Sequence, residues 1–179
     1  MACVLTSGRL LNCTDKVGGA KRIYFANYSP LTAAWTETAK EITGTPTLTV
    51  YRYDLENGTG GATETITKSV ENGTRYYEIG GDFILSGIDK AMQAELDLLT
   101  AGRLFVFVED YNGNILFYGK ENGCHVVGGS AATGTANGDL NGYTLTIMGK
   151  ERYSAPLLEA FTDYPFDNLT DVTVNPAFA

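Results

Sequence analysis

The chain has very little of the chemistry that most enzymes and nucleic-acid readers need. It carries a single histidine, His125, so no metal site can be built on several imidazoles of one copy. Its three cysteines, Cys3, Cys13 and Cys124, form no Cys-x-x-Cys pair, which removes the usual zinc and redox motifs. An odd count also argues against a disulfide framework, although a Cys3–Cys13 bridge across an N-terminal hairpin stays open. Cations are scarce: 13 Lys and Arg stand against 21 Asp and Glu, for a net charge of −8. A binder of DNA or anionic lipid needs a basic footprint, and this balance does not supply one. The longest clear apolar run, Leu104–Val108, is far too short to span a bilayer. The N-terminus lacks a basic segment followed by a sustained apolar one, so no signal peptide or membrane anchor is expected and synthesis is expected in a bacterial cytoplasm.

What is abundant is turn and strand chemistry. Asn-Gly occurs at Asn57, Asn72, Asn112, Asn122, Asn137 and Asn141. Asn-Gly favours tight two-residue turns in which both residues take positive φ. Strand-like runs flank these sites: 22–28, 47–54, 63–69, 74–85, 103–119 as a hairpin closed at Asn112-Gly113, and 143–151. Gly80-Gly81 inside one run predicts a bulge or bend. The stretch 29–46 is ambiguous between a short helix at Ala33–Glu41 and an extended loop, with the loop favoured. One helix is expected at about 86–101, with Ser86-x-x-Asp89 as a capping box, Ile88, Met92, Leu96 and Leu99 as its apolar stripe, and Gly102 just past its end.

Residues 104–108 are apolar without alternation, so that strand should be covered on both faces. The preceding helix is the natural cover for one face and a second sheet for the other. The fold class is therefore mainly β: a β-sandwich or flattened barrel with one flanking α-helix. Residues 1–151 form that domain. From residue 152 the character changes, and Pro156, Pro165 and Pro176 punctuate an extended C-terminal arm, 152–179, with a short strand at 169–174. Such an apolar-rich tail docks on its own domain or on a neighbour.

Catalytic and cofactor motifs are weak throughout, and neither enzymatic activity nor a cofactor is expected. The stretch "GGSAATGTANGDLNG" (128–142) resembles a phosphate loop only in its glycines. Gly129 and Gly134 are followed by Thr135 with no lysine before Lys150, and strand rather than helix follows Gly142. Small side chains there would instead let another backbone approach closely. Cys124 and His125 are adjacent in a strand and point to opposite faces. "DYNGN" (110–114) superficially resembles a calcium loop, but a strand pattern intervenes before Glu121. The carboxylates Glu109, Asp110, Asp139, Glu151, Glu159, Asp163 and Asp167 single out no acid–base pair. The eleven tyrosines suit either a carbohydrate platform or half-buried strand positions.

The order of "MACVLTSGRLLNCTDKVGGAKRIYFANYS", the capped helix and "LFVFVEDYNGNILFYGKENGCHVVGGSAATGTANGDLNGYTLTIMGKE" resembles virion structural proteins of tailed bacteriophages infecting Bacteroidota, including crAss-like phages. The resemblance covers roughly residues 1–151 and points to tail-tube and tail-ring proteins. It implies a homo-oligomer, commonly of sixfold rings, in the virion tail beside other tail proteins, with DNA passing through without specific binding. Under it, Ala131, Thr133, Gly134, Tyr164, Phe166 and Phe178 are candidate inter-subunit contacts. Glu71, Asp82 and Asp139 are candidates for an acidic lumen. The alternative class is a virion surface or decoration β-sandwich module that binds carbohydrate or a host surface.

Overall fold

The computed structural model describes residues 7–10, 14–30 and 35–178. Cys3 and Cys13, and with them the bridge left open above, lie outside the described residues. The strands are β1 (Ala20–Asn27), β2 (Thr36–Thr38), β3 (Glu41–Gly44), β4 (Leu48–Asp54), β5 (Gly60–Ser69), β6 (Thr74–Ser86), β7 (Leu104–Asp110), β8 (Ile115–Tyr118), β9 (Cys124–Ala132), β10 (Gly142–Glu151), β11 (Leu157–Leu158) and β12 (Val172–Asn175). The helix α1 (Lys90–Ala101) lies between β6 and β7. The result is a mainly β fold with one flanking helix, as the sequence predicts.

The sheet has two branches that meet at β7. In the first, β12, β4, β1, β7, β8, β11, β3 and β2 follow one another. In the second, β9, β10, β6 and β5 run antiparallel. The junction is the pairing of Leu104 with Cys124. Strand β7 is buried along almost its whole length because its faces serve two cores. Leu104, Val106 and Val108 pack with Ile23, Phe25, Ile79, Phe83 and Ile147 between the branches. Phe105 and Phe107 point the other way, into an aromatic core with Tyr24, Trp35, Phe117 and Phe166. There Phe107 stacks on Phe117 at 4.5 Å, and Phe166 meets Tyr24 edge-on at 4.9 Å. Each such pair adds about 0.5–1.5 kcal/mol beyond its buried area.

The double cover was expected, but its second layer is different. One face of β7 is covered by the second branch and the end of α1, where Leu99 is buried. The other is covered by Trp35, Ile42 and the C-terminal arm through Leu158, Phe166 and Leu169. The arm is tied down by backbone pairing as well: β11 pairs β3 and β8, and β12 runs parallel to β4.

Other expectations need correction. The helix begins at Lys90, not 86. Ser86 ends β6, paired with Gly142, and Gly87 breaks the chain direction at φ 88°. Asp89 is the N-cap residue but makes no side-chain cap, Ile88 precedes the helix and is exposed, and Gly102 is extended rather than left-handed. There is no bulge at Gly80-Gly81: both pair in unbroken register with β5 and β10. Gly81 is needed for space, since a Cβ there would sit 2.9 Å from the ring of Phe83 and 3.0 Å from the carbonyl oxygen of Gly61. The stretch around Glu37–Ile42 is a β2–β3 hairpin rather than a loop. Its turn is the two-residue kind assigned above to Asn-Gly: Ala39 and Lys40 both have positive φ, 52° and 73°. At Asn57, Asn72, Asn112 and Asn122 only the following glycine is left-handed.

The glycines at 129 and 142 show what the stretch 128–142 does. A Cβ on Gly129 would lie 2.4 Å from the Thr144 carbonyl oxygen, and one on Gly142 would lie 2.2 Å from that of Leu85. Two backbones do come close, and both belong to the same chain.

Buried charge is handled locally. Glu109, 1% exposed, accepts hydrogen bonds from Arg22 at 3.0 and 3.1 Å and from the Tyr24 hydroxyl at 2.6 Å. Burial first, and then this carboxylate, push the Tyr24 hydroxyl far above its ordinary pKa. The Cys124 thiol, also buried, is pushed up to about 12, by burial and secondarily by Glu151.

Two predictions follow from this packing. Gly142→Ala should lower stability by about 1–3 kcal/mol through overpacking against backbone. Gly138→Ala, where nothing lies within 4 Å, should change it by less than about 0.5 kcal/mol. Urea denaturation of the two variants checks this; equal midpoints would contradict it. In a Cys3→Ser, Cys13→Ser background, Cys124 should react with a thiol reagent only as fast as the fold opens. Prompt labelling of the native protein would show that the site is not closed.

Candidate assembly surface

The second branch leaves two strand edges without partners among the described residues. In it, β10 pairs β6 from Gly142↔Ser86 to Glu151↔Tyr77, and β5 pairs β6 from Gly60↔Phe83 to Ser69↔Thr74. β9 pairs β10 from Gly142↔Ala132 to Gly149↔Cys124. Among the described residues, β5 has no strand partner on its other side. β9 has one there only at Cys124. Both lateral edges of a four-stranded branch are therefore open over most of their length. Exposed edges of this kind are a template for pairing with another chain.

The two edges differ in shape. β9 slips register between Thr146 and Ile147 of β10, which pair with Gly128 and Val126. Val127 is the extra residue at this irregularity and is 54% exposed. From Val127 to Ala131 the strand is exposed and, past Val127, consists of small residues. Between this strand and α1 lies a groove of about 430 Å³ lined by Leu96, Thr100, Val126, Gly129, Ala131 and Leu145, among others. β5 alternates half-buried and exposed residues up to Thr65 and then loses the pattern, because Ile66 is exposed. From there the β5–β6 hairpin runs on past the last β10–β6 pair, Glu151↔Tyr77, and Val70 in its turn is 85% exposed.

One face of the branch is covered by the core and α1, through Leu85, Tyr143 and Leu145 against Met92 and Leu96. The opposite face carries a run of threonines together with Tyr76, Ile84, Met148 and a few charged residues. β5 places Thr63, Thr65 and Thr67 opposite Gly80, Glu78 and Tyr76, and β10 places Thr144, Thr146, Met148 and Lys150 opposite Ile84, Asp82, Gly80 and Glu78. Some of its polar groups are tied to one another. The Thr146 hydroxyl donates to Asp82 at 2.7 Å, that of Thr63 to the Gly80 carbonyl at 3.3 Å, and Lys150 pairs with Glu78 at 3.4 Å.

The residues singled out from the sequence scatter over this framework. Ala131 lines the groove beside α1. Thr133 and Gly134 lie in the exposed loop between β9 and β10, where Gly134 at φ 74° fits its own loop. A Cβ there would meet Asp139 at 2.8 Å. The Asp139 carboxylate accepts the N–H groups of Thr135 and Ala136 at 2.9 and 2.8 Å, and these bonds, that from Ala136 foremost, hold its pKa low. Phe166 is buried in its own chain's aromatic core. Phe178 lies over the guanidinium of Arg52 at 4.6 Å and stacks on Tyr164 at 5.5 Å. Tyr164 remains 47% exposed.

Of the three acidic candidates, only Asp82 sits on the open face. Glu71 is in the hairpin turn and Asp139 is near the other end of β6. Twelve residue steps of β6 at about 3.3 Å separate those ends by roughly 40 Å. The three do not form one patch.

Nor do the remaining chemical candidates converge. Asp110 spends its carboxylate on the turn, accepting from Asn112 and Asn114 main-chain N–H groups at 2.8 Å each. Glu151 accepts from the Glu121 and Asn122 N–H groups, and burial raises its pKa. Among the described residues no group of three or more His, Cys, Asp or Glu is arranged to hold a metal ion. No helix is long and apolar enough to cross a membrane. Tyr24, Tyr118 and Tyr143 are core residues. The open edges were missed in the sequence. Their signal was present in the run Val127–Ala132, which has strand neighbours but little side-chain bulk to bury.

No family model matches the chain, and no curated protein sequence matches it. Among solved structures, a chain of the virion of a native gene transfer agent (GTA) particle aligns with 15% identity over 55% of this chain and 78% of that one. Its TM-score of 0.30 is too low for the likeness to carry an argument about fold or function.

Proposed function

We propose that this chain is a non-enzymatic virion structural subunit that assembles into a ring by sheet-edge pairing, as a tail-tube or tail-ring component of a bacteriophage. The observation that supports this reading best is the second branch with two open edges and one uncovered face. Pairing β5 of one copy with β9 of the next would satisfy both edges with a single repeated contact. Such a heterologous contact forms a ring when its rotation closes. The family resemblance of residues 1–151 supplies the expectation of sixfold symmetry and of DNA passage.

The dimensions suit that role. Six copies of four strands at about 4.8 Å spacing give a circumference of about 115 Å and a diameter of about 37 Å before strand tilt widens it. The uncovered threonine- and glycine-rich face would line the bore. Per copy it presents Asp82 and the paired Glu78 and Lys150, a net of one negative charge. Neutral hydroxyl side chains and little cationic charge give passing phosphates no charge to grip. In this reading the repulsion comes from Asp82 and the overall charge of −8 rather than from an acidic cluster.

The test is the mass of the purified full chain, with imaging of its assemblies, beside Val127→Lys. The exposed substitution should leave the monomer fold within about 0.5 kcal/mol of wild type while placing a charge in the paired edge. Rings from wild type and a folded variant that forms no rings are expected. Rings from both, or a wild-type protein that stays monomeric at every concentration, would overturn the proposal.

A further inference from the structure

At the end of the second branch, where β5 turns into β6, three cations converge. Lys68, Arg75 and Arg152 line a cleft of about 620 Å³ together with the exposed Val70 of the hairpin turn, and no carboxylate lines it. None of the three forms a salt bridge among the described residues. Arg75 and Arg152 lie instead over the rings of Tyr77 and Tyr153, at 5.6 and 5.3 Å. In a chain of net charge −8 with 13 cations, three of them unpaired in one cleft are a concentrated exception.

The complementary surface is the C-terminal arm. After Arg152 the chain contains no Lys or Arg, while Glu159, Asp163, Asp167 and Asp171 all fall there. Asp163, Asp167 and Asp171 are exposed, as is Tyr164 beside them. The part of this segment around Glu159 and Asp163 lies at the far end of the molecule from the cleft, whereas Asp171, whose carbonyl accepts from the Leu48 N–H, lies at the other end of the arm. Phe161 packs near Gly113 in the β7–β8 turn, and Tyr111 of the same turn lies against Gly19, next to the Gly60 carbonyl that starts β5. β5 then runs nine residue steps to Ser69, about 30 Å at strand spacing. The cleft and the Asp163 surface therefore cannot meet within one copy, although the arm itself starts at Arg152.

We infer that the Lys68/Arg75/Arg152 cleft of one copy receives the acidic arm surface around Glu159 and Asp163 of a second copy, in a head-to-tail contact distinct from the edge pairing above. The inference builds on the ring reading by naming a contact between rings, and it assigns the arm a role other than its place in its own core. Val70 and Tyr164 supply apolar contact at the centre of the charged pairs. Poles of opposite sign about 30 Å apart steer copies into one orientation and disfavour like-to-like approach.

The experiment is run on the full chain carrying Val127→Lys, so that edge pairing is absent and the end contact is read alone. Association is measured by sedimentation for this parent, for Arg75→Glu/Arg152→Glu, for Glu159→Lys/Asp163→Lys, and for an equimolar mixture of the two double variants. Circular dichroism confirms that each is folded. The parent should self-associate, and raising salt from about 0.05 M to 0.5 M should weaken this. Each double variant alone should associate at least about tenfold more weakly, and the mixture should recover hetero-association. Undiminished self-association of either folded variant, or no recovery in the mixture, would overturn the inference whatever the fate of the rings. So would a result in which the cleft variant loses only affinity for a DNA duplex, which would make the cleft a phosphate contact instead.

Discussion

Strand β7 carries apolar side chains to both of its faces, and a strand of that kind is stable only when it is covered twice. That requirement accounts for most of the architecture. The first cover is the second branch of the sheet with the end of α1. The second is assembled from pieces distant in sequence: Trp35, the β2–β3 hairpin and the C-terminal arm. Because β7 also pairs with β1, β8 and, at its first residue, β9, it is the seam that holds both branches. At its far end the Glu109 carboxylate, removed from water, is neutralised by Arg22 from the neighbouring strand and hydrogen-bonded by Tyr24. Removing one partner from such a group costs far more than the pair contributes, so this contact holds β1 to β7 at the end where their ladder becomes irregular.

Much of this was legible in the residues, and the failures have physical causes. The continuous run Leu104–Val108 announced double cover, alternation located β4 and β10, and the Asn112-Gly113 turn located the 103–119 hairpin. The identity of the second cover was not legible, because an arm that supplies Leu158, Phe166 and Leu169 at irregular spacing has no periodicity to read. The helix was placed four residues early because Ser86-x-x-Asp89 imitates a capping box. Strand pairing with Gly142 claimed Ser86 instead. Gly80-Gly81 suggested a bulge, but the glycines make room for the Phe83 ring inside a regular ladder. Ala39-Lys40 forms a left-handed turn that no local propensity favours, held by the pairing of β2 with β3.

The candidate site was less legible than the fold. Interface residues were sought among small and aromatic side chains, and the structure divides these between internal duties and surface. Phe166 fills a core, Gly134 and Asp139 shape their own loop, and Ala131 borders a groove. Open strand edges are a property of the backbone, and composition does not mark them. What marks them in retrospect is a strand whose neighbours are paired while its own residues, Val127 to Ala131, stay exposed. The same holds for β5, where alternation lapses at Ile66 because the hairpin has outrun the body that would have covered it.

The account rests on β5 and β9 meeting between copies. Amide hydrogen exchange compares the two edges directly in assembled and dilute protein. Slower exchange on assembly is predicted for β5 and for Val127–Ala132, with β6 and β10, already paired on both sides, unchanged. Exchange at both edges as fast in the assembly as in the free chain would contradict it.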